Sequence, residues 1–381
     1  MKKIIFIIDN WFGGFGGRRK TTLSLVNNLD NFEIGLLTLD TKVSKDKIKN
    51  FSRDLRKGVK IRPYFIRHNF FLLPRVFFKF GFFLKKMKPN LIISVGGGTH
   101  SNAFFALIAK IFLSERPLAI INHGNPEQFL KKQNFILRYL TKLAYQKADK
   151  VISVSKGVME NTKKNFNLRD NQCTFIYNGF DLEDILKKSQ EKVEHPWFKE
   201  DIPIILSAAR LDASSKDFPV LLKAFLKARK SLKARLVILG DGPQKEELEK
   251  LAKDLNIEKD VWFAGFQKNP YKFMSKSRVF LLSSKFEALP LVLVEAMICG
   301  VPVISSDCDF GPREILENGK YGILVPTGDA EKMAEAIIKV LTDRELSEKL
   351  TERGGERMHN FRIEKVLPAY AQLFDEISEN I

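Results

Sequence analysis

Short runs that are apolar throughout alternate along this chain with longer segments whose apolar residues recur every three to four positions. In the first half the runs are Ile4–Ile8, Ile34–Leu39, Leu91–Val95, Leu118–Asn122 and Val151–Val154, with helical patterns over Thr21–Leu29 and Asn102–Leu113. The second half repeats the arrangement at Ile204–Ala208, Ala234–Leu239, Val261–Ala264, Val279–Leu282, Val301–Ser305 and Gly322–Val325. A strand without a polar side is covered on both faces, which is the situation of a parallel sheet between helical layers. The pattern therefore predicts an α/β protein of two doubly wound domains in series. The junction falls near Tyr177–Asp201, where the chain turns polar and carries Pro196, so the expected domains are 1–180 and 181–360, followed by a helical tail over 361–381.

A chain of 381 residues with 44% hydrophobic content is long enough for two such cores. The opening run Ile4–Ile8 stops at Asp9, too short for the apolar region of a signal peptide, and reads as a buried first strand. Cys173, Cys299 and Cys308 show neither metal-ligand spacing nor a disulfide framework, so a reducing, cytoplasmic setting is expected. No apolar run reaches the length of a transmembrane helix.

Charge changes the picture more than composition does. Net charge is +18, yet residues 1–180 hold 32 Lys/Arg against 11 Asp/Glu, whereas residues 181–381 hold 31 against 34. Between Asp54 and Glu115 there is no acidic residue, and Phe65, Phe70, Phe71, Phe77, Phe78, Phe80, Phe82 and Phe83 are interleaved there with lysines and arginines. Residues 62–88 read either as a core helix with a solvated basic face or as an amphipathic segment on an anionic membrane surface; the missing acids favour the membrane. Nucleic acid is the other polyanion that a pI near 9.6 brings to mind, but the basic half has no helix-turn-helix or RNP signature.

Ligands of doubly wound domains bind beyond the carboxyl ends of the strands, so candidate chemistry lies in the loops that follow them. Gly13-Gly14-Phe15-Gly16-Gly17 follows the first strand and opens a helix. It is either a tight turn or a loop bringing backbone N–H groups to an anion, and Arg18, Arg19 and Lys20 behind it argue for the anion. Its spacing is not that of a dinucleotide fingerprint, which sets aside a Rossmann oxidoreductase. His123 follows Leu118–Asn122, as a structural or a catalytic imidazole. Arg210 and Lys216 follow Ile204–Ala209, as surface cations or as a clamp for a diphosphate leaving group. Gly240-Asp241-Gly242 closes the next strand, and Gly311-Pro312 opens a helix after Val301–Ser305. Glu287 and Glu295 are eight positions apart, about 80° around a helix, with Pro290 between them. Carboxylates for hydroxyls, together with a helix start for phosphate, suit a nucleotide sugar.

The run from Glu287 to Glu295 resembles the E-x7-E motif of the retaining glycosyltransferases of family 4. Ala209-Arg210-Leu211, Lys216, Val237–Pro243 and Glu295–Val303 extend the likeness over about 200–330; in the first half only Gly16-Gly17, His123 and the helix order match. The resemblance implies a GT-B fold, two Rossmann-like domains facing a central cleft, with the tail helix returning to the first domain. It implies a hexosyltransferase acting on a nucleotide diphosphate sugar, most simply UDP-linked, without a metal or other cofactor. It implies that Arg210 and Lys216 grip the donor diphosphate, that Glu287 holds sugar hydroxyls and that Glu295 holds the ribose. Ala288, Leu289, Leu291 and Val292 cap the phosphates, Gly240 and Phe266 complete the donor side, and His123 lies beneath the anomeric carbon. Gly16, Gly17, Arg18 and Arg19 fall to the acceptor side.

The chain departs from the family pattern at Arg19, where an acid is usual, at Gly124 after His123, where an acid is common, and at Ala288, where glycine is usual. Arg19 points to an anionic acceptor, such as a polyprenyl-diphosphate-linked or lipopolysaccharide-type glycan. The expected enzyme is cytoplasmic and peripheral on the inner face of the membrane. A GT-B epimerase releasing UDP is the competing reading, and it leaves the basic first half without a use.

Overall fold

The computed structural model of the protein describes residues 1–9, 16–40, 54–65, 73–96, 100–131, 133–213 and 215–379. The chain forms two units, one of Met1–Phe180 with Ile363–Ile381 and one of Asp181–Arg362.

The first unit is built on seven parallel strands: β1 (Lys2–Asp9), β2 (Phe32–Asp40), β3 (Lys60–Phe65), β4 (Leu91–Gly96), β5 (Leu118–Asn122), β6 (Lys150–Ser153) and β7 (Cys173–Phe175). Their order, β3-β2-β1-β4-β5-β6-β7, is doubly wound. Helices α1 (Gly17–Asn28), α2 (Leu73–Met87), α3 (His100–Phe112), α4 (Pro126–Lys131), α5 (Phe135–Lys147) and α6 (Lys156–Phe166) connect them. Side chains of a strand alternate between faces, and β1 shows why it has no polar positions inside. Ile4, Phe6 and Ile8 meet Leu25 and Val26 of α1 on one face. Ile5 and Ile7 meet Phe80 and Leu84 of α2 and Phe105 of α3 on the other.

Strands β3 and β7 are the two edges, and the apolar-run reading misses both. Lys60, Arg62 and Pro63 give β3 the charge and the missing donor that suit an edge, and β7 is only three half-buried residues. The basic Phe-rich stretch 62–88 is accordingly not one segment, because its start is sheet. Phe65 closes β3, and Phe70 and Phe71 lie outside the described residues. Within α2, Phe80 and Leu84 are buried, whereas Phe78 and Phe82 are 54% and 61% exposed beside Lys79, Lys85 and Lys86. The ring of Phe112 lies against Gly81, where a β-carbon would meet it at 2.2 Å, and edge-on to Phe77, Phe78 and Phe82.

The second unit has six parallel strands, β8 (Ile204–Ala208), β9 (Arg235–Leu239), β10 (Val261–Gly265), β11 (Val279–Leu282), β13 (Val303–Ser306) and β15 (Ile323–Val325), in the order β10-β9-β8-β11-β13-β15. A separate pair, β12 (Phe286–Glu287) with β14 (Asp309–Phe310), stands beyond the carboxyl ends. Its helices are α7 (Leu182–Ser189), α8 (Phe218–Arg229), α9 (Lys245–Asp254), α10 (Tyr271–Met274), α11 (Leu291–Ile298), α12 (Gly311–Ile315), α13 (Ala330–Thr342) and α14 (Arg344–Met358). Leu221, Leu222 and Phe225 of α8 and Met333 and Ile337 of α13 close over Ile205, Leu281 and Ile304.

The final helix, α15 (Ile363–Glu379), packs on the first unit. Phe374 meets Phe6 and Phe32 edge-on, the Ile363 N–H donates to the Phe180 carbonyl at 2.9 Å, and Lys2 bonds to Asp375 and Glu379, each at 2.8 Å.

Candidate functional site

In the second unit the loops after the strands are bound to one another by backbone hydrogen bonds. The Ala209 N–H donates to the Leu239 carbonyl at 3.0 Å, Leu211 to Asp241 at 3.0 Å and Gly240 to Gly265 at 2.8 Å. This close approach demands a glycine at 240: its φ is +136°, and a β-carbon would lie 1.9 Å from the Ala209 oxygen. The loop after β8 is likewise bound to the loop after β11, with Lys285 donating to Ser215 at 2.8 Å and Asp217 to Ser283 at 3.2 Å.

That junction brings Lys216 to Glu287, 71 positions away in sequence. The Lys216 ammonium donates to Glu287 Oε1, with the two side chains 19% and 13% exposed. Ser284 Oγ donates to the same oxygen at 2.7 Å and lies 3.4 Å from Lys216 Nζ. Ser306 Oγ in turn donates to the Ser284 carbonyl at 2.5 Å. A carboxylate held by an ammonium and a hydroxyl keeps one orientation while its other oxygen stays available to a ligand. Cys308 lies close enough that burial and the Glu287 charge push its thiol up to about 12, so it stays neutral beside the carboxylate.

From Glu287 the chain runs through Ala288, Leu289 and Pro290 into α11. No side chain caps the start of this helix, so first-turn N–H groups are offered at Leu291 and Val292. Gly311 supports the segment from behind: a β-carbon there would lie 2.4 Å from Pro290 Cδ and 2.8 Å from Leu289 Cα. Glu295, one and a quarter turns into α11, is 6% exposed. Arg210 extends outward, 73% exposed, with Asp212 at 4.0 Å, and Phe266 stands 52% exposed just past β10. Asp307 pairs with Arg313, its Oδ1 accepting from Nε at 2.9 Å. Among the described residues no group of three or more His, Cys, Asp and Glu is gathered as metal ligands.

In the first unit Gly16 precedes α1 in extended conformation, and no side chain caps the helix. Gly16 and Gly17 are exposed, and Arg18 and Arg19 half-buried. Gly13, Gly14 and Phe15 lie outside the described residues. His123, half-buried, donates its backbone N–H to Gly96 at 3.1 Å. Burial and the nearby Arg18 charge push its imidazole down to about 3, so it is neutral at physiological pH. With Thr21, Thr22, Asn178, Ile363 and Tyr370 it lines a small cavity at the start of α1.

Comparison with known proteins gives this geometry a family. Residues 16–184 match the family described as Glycosyltransferase Family 4, and residues 187–357 match Glycosyl transferases group 1. A relative from Campylobacter jejuni subsp. jejuni serotype O:2 is 34% identical over 261 residues, 68% of this chain and 69% of its own. Its name is N-acetylgalactosamine-N,N'-diacetylbacillosaminyl-diphospho-undecaprenol 4-alpha-N-acetylgalactosaminyltransferase.

The chain belongs to glycosyltransferase family 4.

A second glycosyltransferase from that organism, GalNAc-alpha-(1->4)-GalNAc-alpha-(1->3)-diNAcBac-PP-undecaprenol alpha-1,4-N-acetyl-D-galactosaminyltransferase, is 28% identical over 383 residues, 99% of each chain. Among solved structures, Anabaena Alr3699/HepE in complex with UDP superposes with a TM-score of 0.80 at 19% identity, covering 99% of this chain and 100% of that one. The enzyme is thus a glycosyltransferase with the GT-B fold, as the resemblance implied. Sequence reasoning passed over Ser284 and Ser306. The three-residue spacing from Ser284 to Glu287 was the available signal, and only the turn before β12 makes it a hydrogen bond.

Proposed function

We propose that this glycosyltransferase moves a hexose or N-acetylhexosamine, with retention, from a UDP-linked sugar to a polyprenyl-diphosphate-linked or lipopolysaccharide-type glycan. The observation that carries the reading is the Lys216–Ser284–Glu287 cluster directly before the uncapped start of α11. In this reading Glu287 accepts hydrogen bonds from sugar hydroxyls. Lys216, Arg210 and the first-turn N–H groups of α11, reached through Ala288, Leu289, Leu291 and Val292, receive the charge that develops on the departing diphosphate. Glu295 takes the ribose hydroxyls, and Phe266 and Gly240 border the base and phosphates. These cations and N–H groups supply the electrostatic work without a metal ion. As the bond from the anomeric carbon to the diphosphate breaks, the acceptor oxygen bonds to that carbon on the same face, and its proton passes to the leaving diphosphate oxygen. His123, neutral, contacts a sugar hydroxyl as a donor or acceptor rather than as a cation.

On the acceptor side, Gly16, Gly17, Arg18 and Arg19 meet an anionic acceptor. Both Campylobacter relatives bear names of enzymes acting on undecaprenol-linked glycans, which supports that acceptor class. No helix among the described residues is long and apolar enough to cross a membrane. We place the enzyme in the cytoplasm, peripheral on the inner membrane face, with the exposed Phe78, Phe82, Lys79, Lys85 and Lys86 of α2 on anionic lipid.

The test is transfer from a panel of nucleotide sugars to polyprenyl-diphosphate oligosaccharides in the presence of chelator, read by mass spectrometry and anomeric NMR. The reading expects an α-linked product from one UDP-sugar. Nucleotide release with an epimerised free sugar, or transfer that stops with chelator, would contradict it.

A further inference from the structure

Helix α5 departs from the usual arrangement of a surface helix, because its outward face is apolar as well as its inward one. Its inward face carries Thr141, Ala144 and Tyr145, and its outward face carries Phe135, Ile136 and Tyr139, which are 82%, 67% and 59% exposed. At about 100° per residue these three fall within one arc of about 100°, opposite the buried residues. Leu143 extends the same arc half-buried, and Lys142 and Lys147 border it. The helix lies in an acid-free run: from Gln128 to Ala148 the chain has Lys131, Lys132, Arg138, Lys142 and Lys147 and no Asp or Glu. Three large neighbouring apolar side chains in water are unfavourable unless something covers them, and a basic surround selects an anionic cover.

Position gives the patch a purpose. In a parallel sheet, the helix leading into a strand starts at the carboxyl edge and ends at the amino edge. Helix α5 ends at Lys147, just before β6 begins at Lys150, so Phe135, Ile136 and Tyr139 stand at the carboxyl edge. Gly16 and His123, after β1 and β5, are at that edge too. Phe78 and Phe82 instead pack with Phe112 at the end of α3, towards the amino edge. Helix α3 packs against both α2 and α5 on the same sheet face, so the two apolar patches lie at opposite ends of one helical layer.

We propose that the outward face of α5 is a bilayer-docking surface, inserting Phe135, Ile136 and Tyr139 among anionic lipids and holding the acceptor edge of the first unit at the membrane. The proposal rests on the reading of a lipid-linked acceptor and adds to the α2 contact a second one, beside the acceptor loops. Arg138 is not a lipid contact: its Nε donates to the Leu130 and Gln133 carbonyls at 2.8 and 3.0 Å and secures the turn into α5.

The test uses the full-length enzyme and vesicles of phosphatidylcholine with phosphatidylglycerol. The expected result is that F135S/I136S/Y139S lowers vesicle partitioning by about 10-fold or more, while the melting temperature and the thermal shift caused by UDP stay as in wild type. In Y139W, brominated lipid should quench fluorescence beyond the quenching of the native tryptophans. Unchanged partitioning with no added quenching would overturn the proposal. So would a loss of self-association in the triple variant with vesicle binding intact, which would make the patch a contact between copies. Neither result bears on donor binding, which the UDP shift reports separately. Loss of partitioning in F78S/F82S alone, with the α5 variant unaffected, would leave α2 as the contact and also overturn the proposal.

Discussion

The two units share an architecture and differ in how they treat polar groups. The second unit carries 30 acidic and 30 basic residues over 181–362, and its central polar side chains are largely buried and bonded to one another: Lys216, Ser284, Glu287 and Ser306 form one chain of hydrogen bonds. The first unit holds 33 basic residues against 15 acidic ones over 1–180 and 363–381, and its large apolar side chains at Phe78, Phe82, Phe135 and Ile136 face outward. Fixed, buried polar groups are what stabilising a small ionic leaving group requires, since they need not reorganise when charge develops. Dispersed surface cations and exposed aromatics suit a large, soft, negatively charged partner whose details vary. In the proposed reading, one sheet topology serves two kinds of recognition, and the difference lies in what the loops and outer helix faces carry.

Breaking the buried chain should have the largest effect. Glu287→Gln and Lys216→Ala are each expected to lower kcat/KM about 10²-fold or more, the scale of removing a group that stabilises transition-state charge. Activity near wild type in either folded variant would remove the cluster from the mechanism. The pair also couples in stability, because deleting one partner strands a largely buried charge. In a double-mutant cycle with Lys216→Met and Glu287→Gln, the double variant should lose less than the sum of the singles, by about 1 kcal/mol or more; strict additivity would mean the ion pair adds nothing.

Next in size is Gly240→Ala. With φ at +136° and the Ala209 oxygen 1.9 Å from the new β-carbon, the junction of the loops after β8 and β9 must open. A loss of about 2 kcal/mol or more in urea denaturation is expected, within the range of strain at such positions. An unaffected unfolding midpoint would show that the loop accommodates a side chain.

A smaller, pH-dependent effect marks the first unit. The folded His123 titrates near 3, whereas an unfolded histidine titrates near 6.5. Between these values the unfolded chain binds a proton that the folded chain does not, so the contribution is fully present above about 6.5 and is lost as pH falls toward 3. Unfolding midpoints should therefore drop more steeply from pH 7.5 to 5 in wild type than in His123→Gln. Equal slopes would mean that the imidazole is solvated in the folded protein. Smallest is the salt response: vesicle binding should weaken as ionic strength rises past the point where surface charges are screened, and a salt-independent affinity would argue against the basic surround.

Much of the fold was legible because strands such as Ile4–Ile8 and Leu91–Val95 are apolar at every position, a pattern only a doubly covered sheet explains. The edges were not: Lys60, Arg62 and Pro63 leave β3 without an apolar run, and β7 is only three half-buried residues long. In the site, Glu287, Glu295, Arg210 and Lys216 stood out by residue type and place after strands, and the structure joins Lys216 to Glu287. Ser284 was invisible because a serine acquires its role from a turn and not from composition. The outward face of α5 was equally hidden. Its apolar residues fit a helical period on either side, and only packing decides which side is buried.

The most direct test of the account is a thermal-shift comparison of wild type and Lys216→Met with UDP, GDP, ADP and CMP. Saturating ligand at about 100 times its dissociation constant adds about 2.7 kcal/mol. A rise with UDP alone in wild type, strongly reduced in Lys216→Met, is the predicted result. No rise with any nucleotide, or the same rise in both proteins, would contradict a donor site built on Lys216 and Glu287.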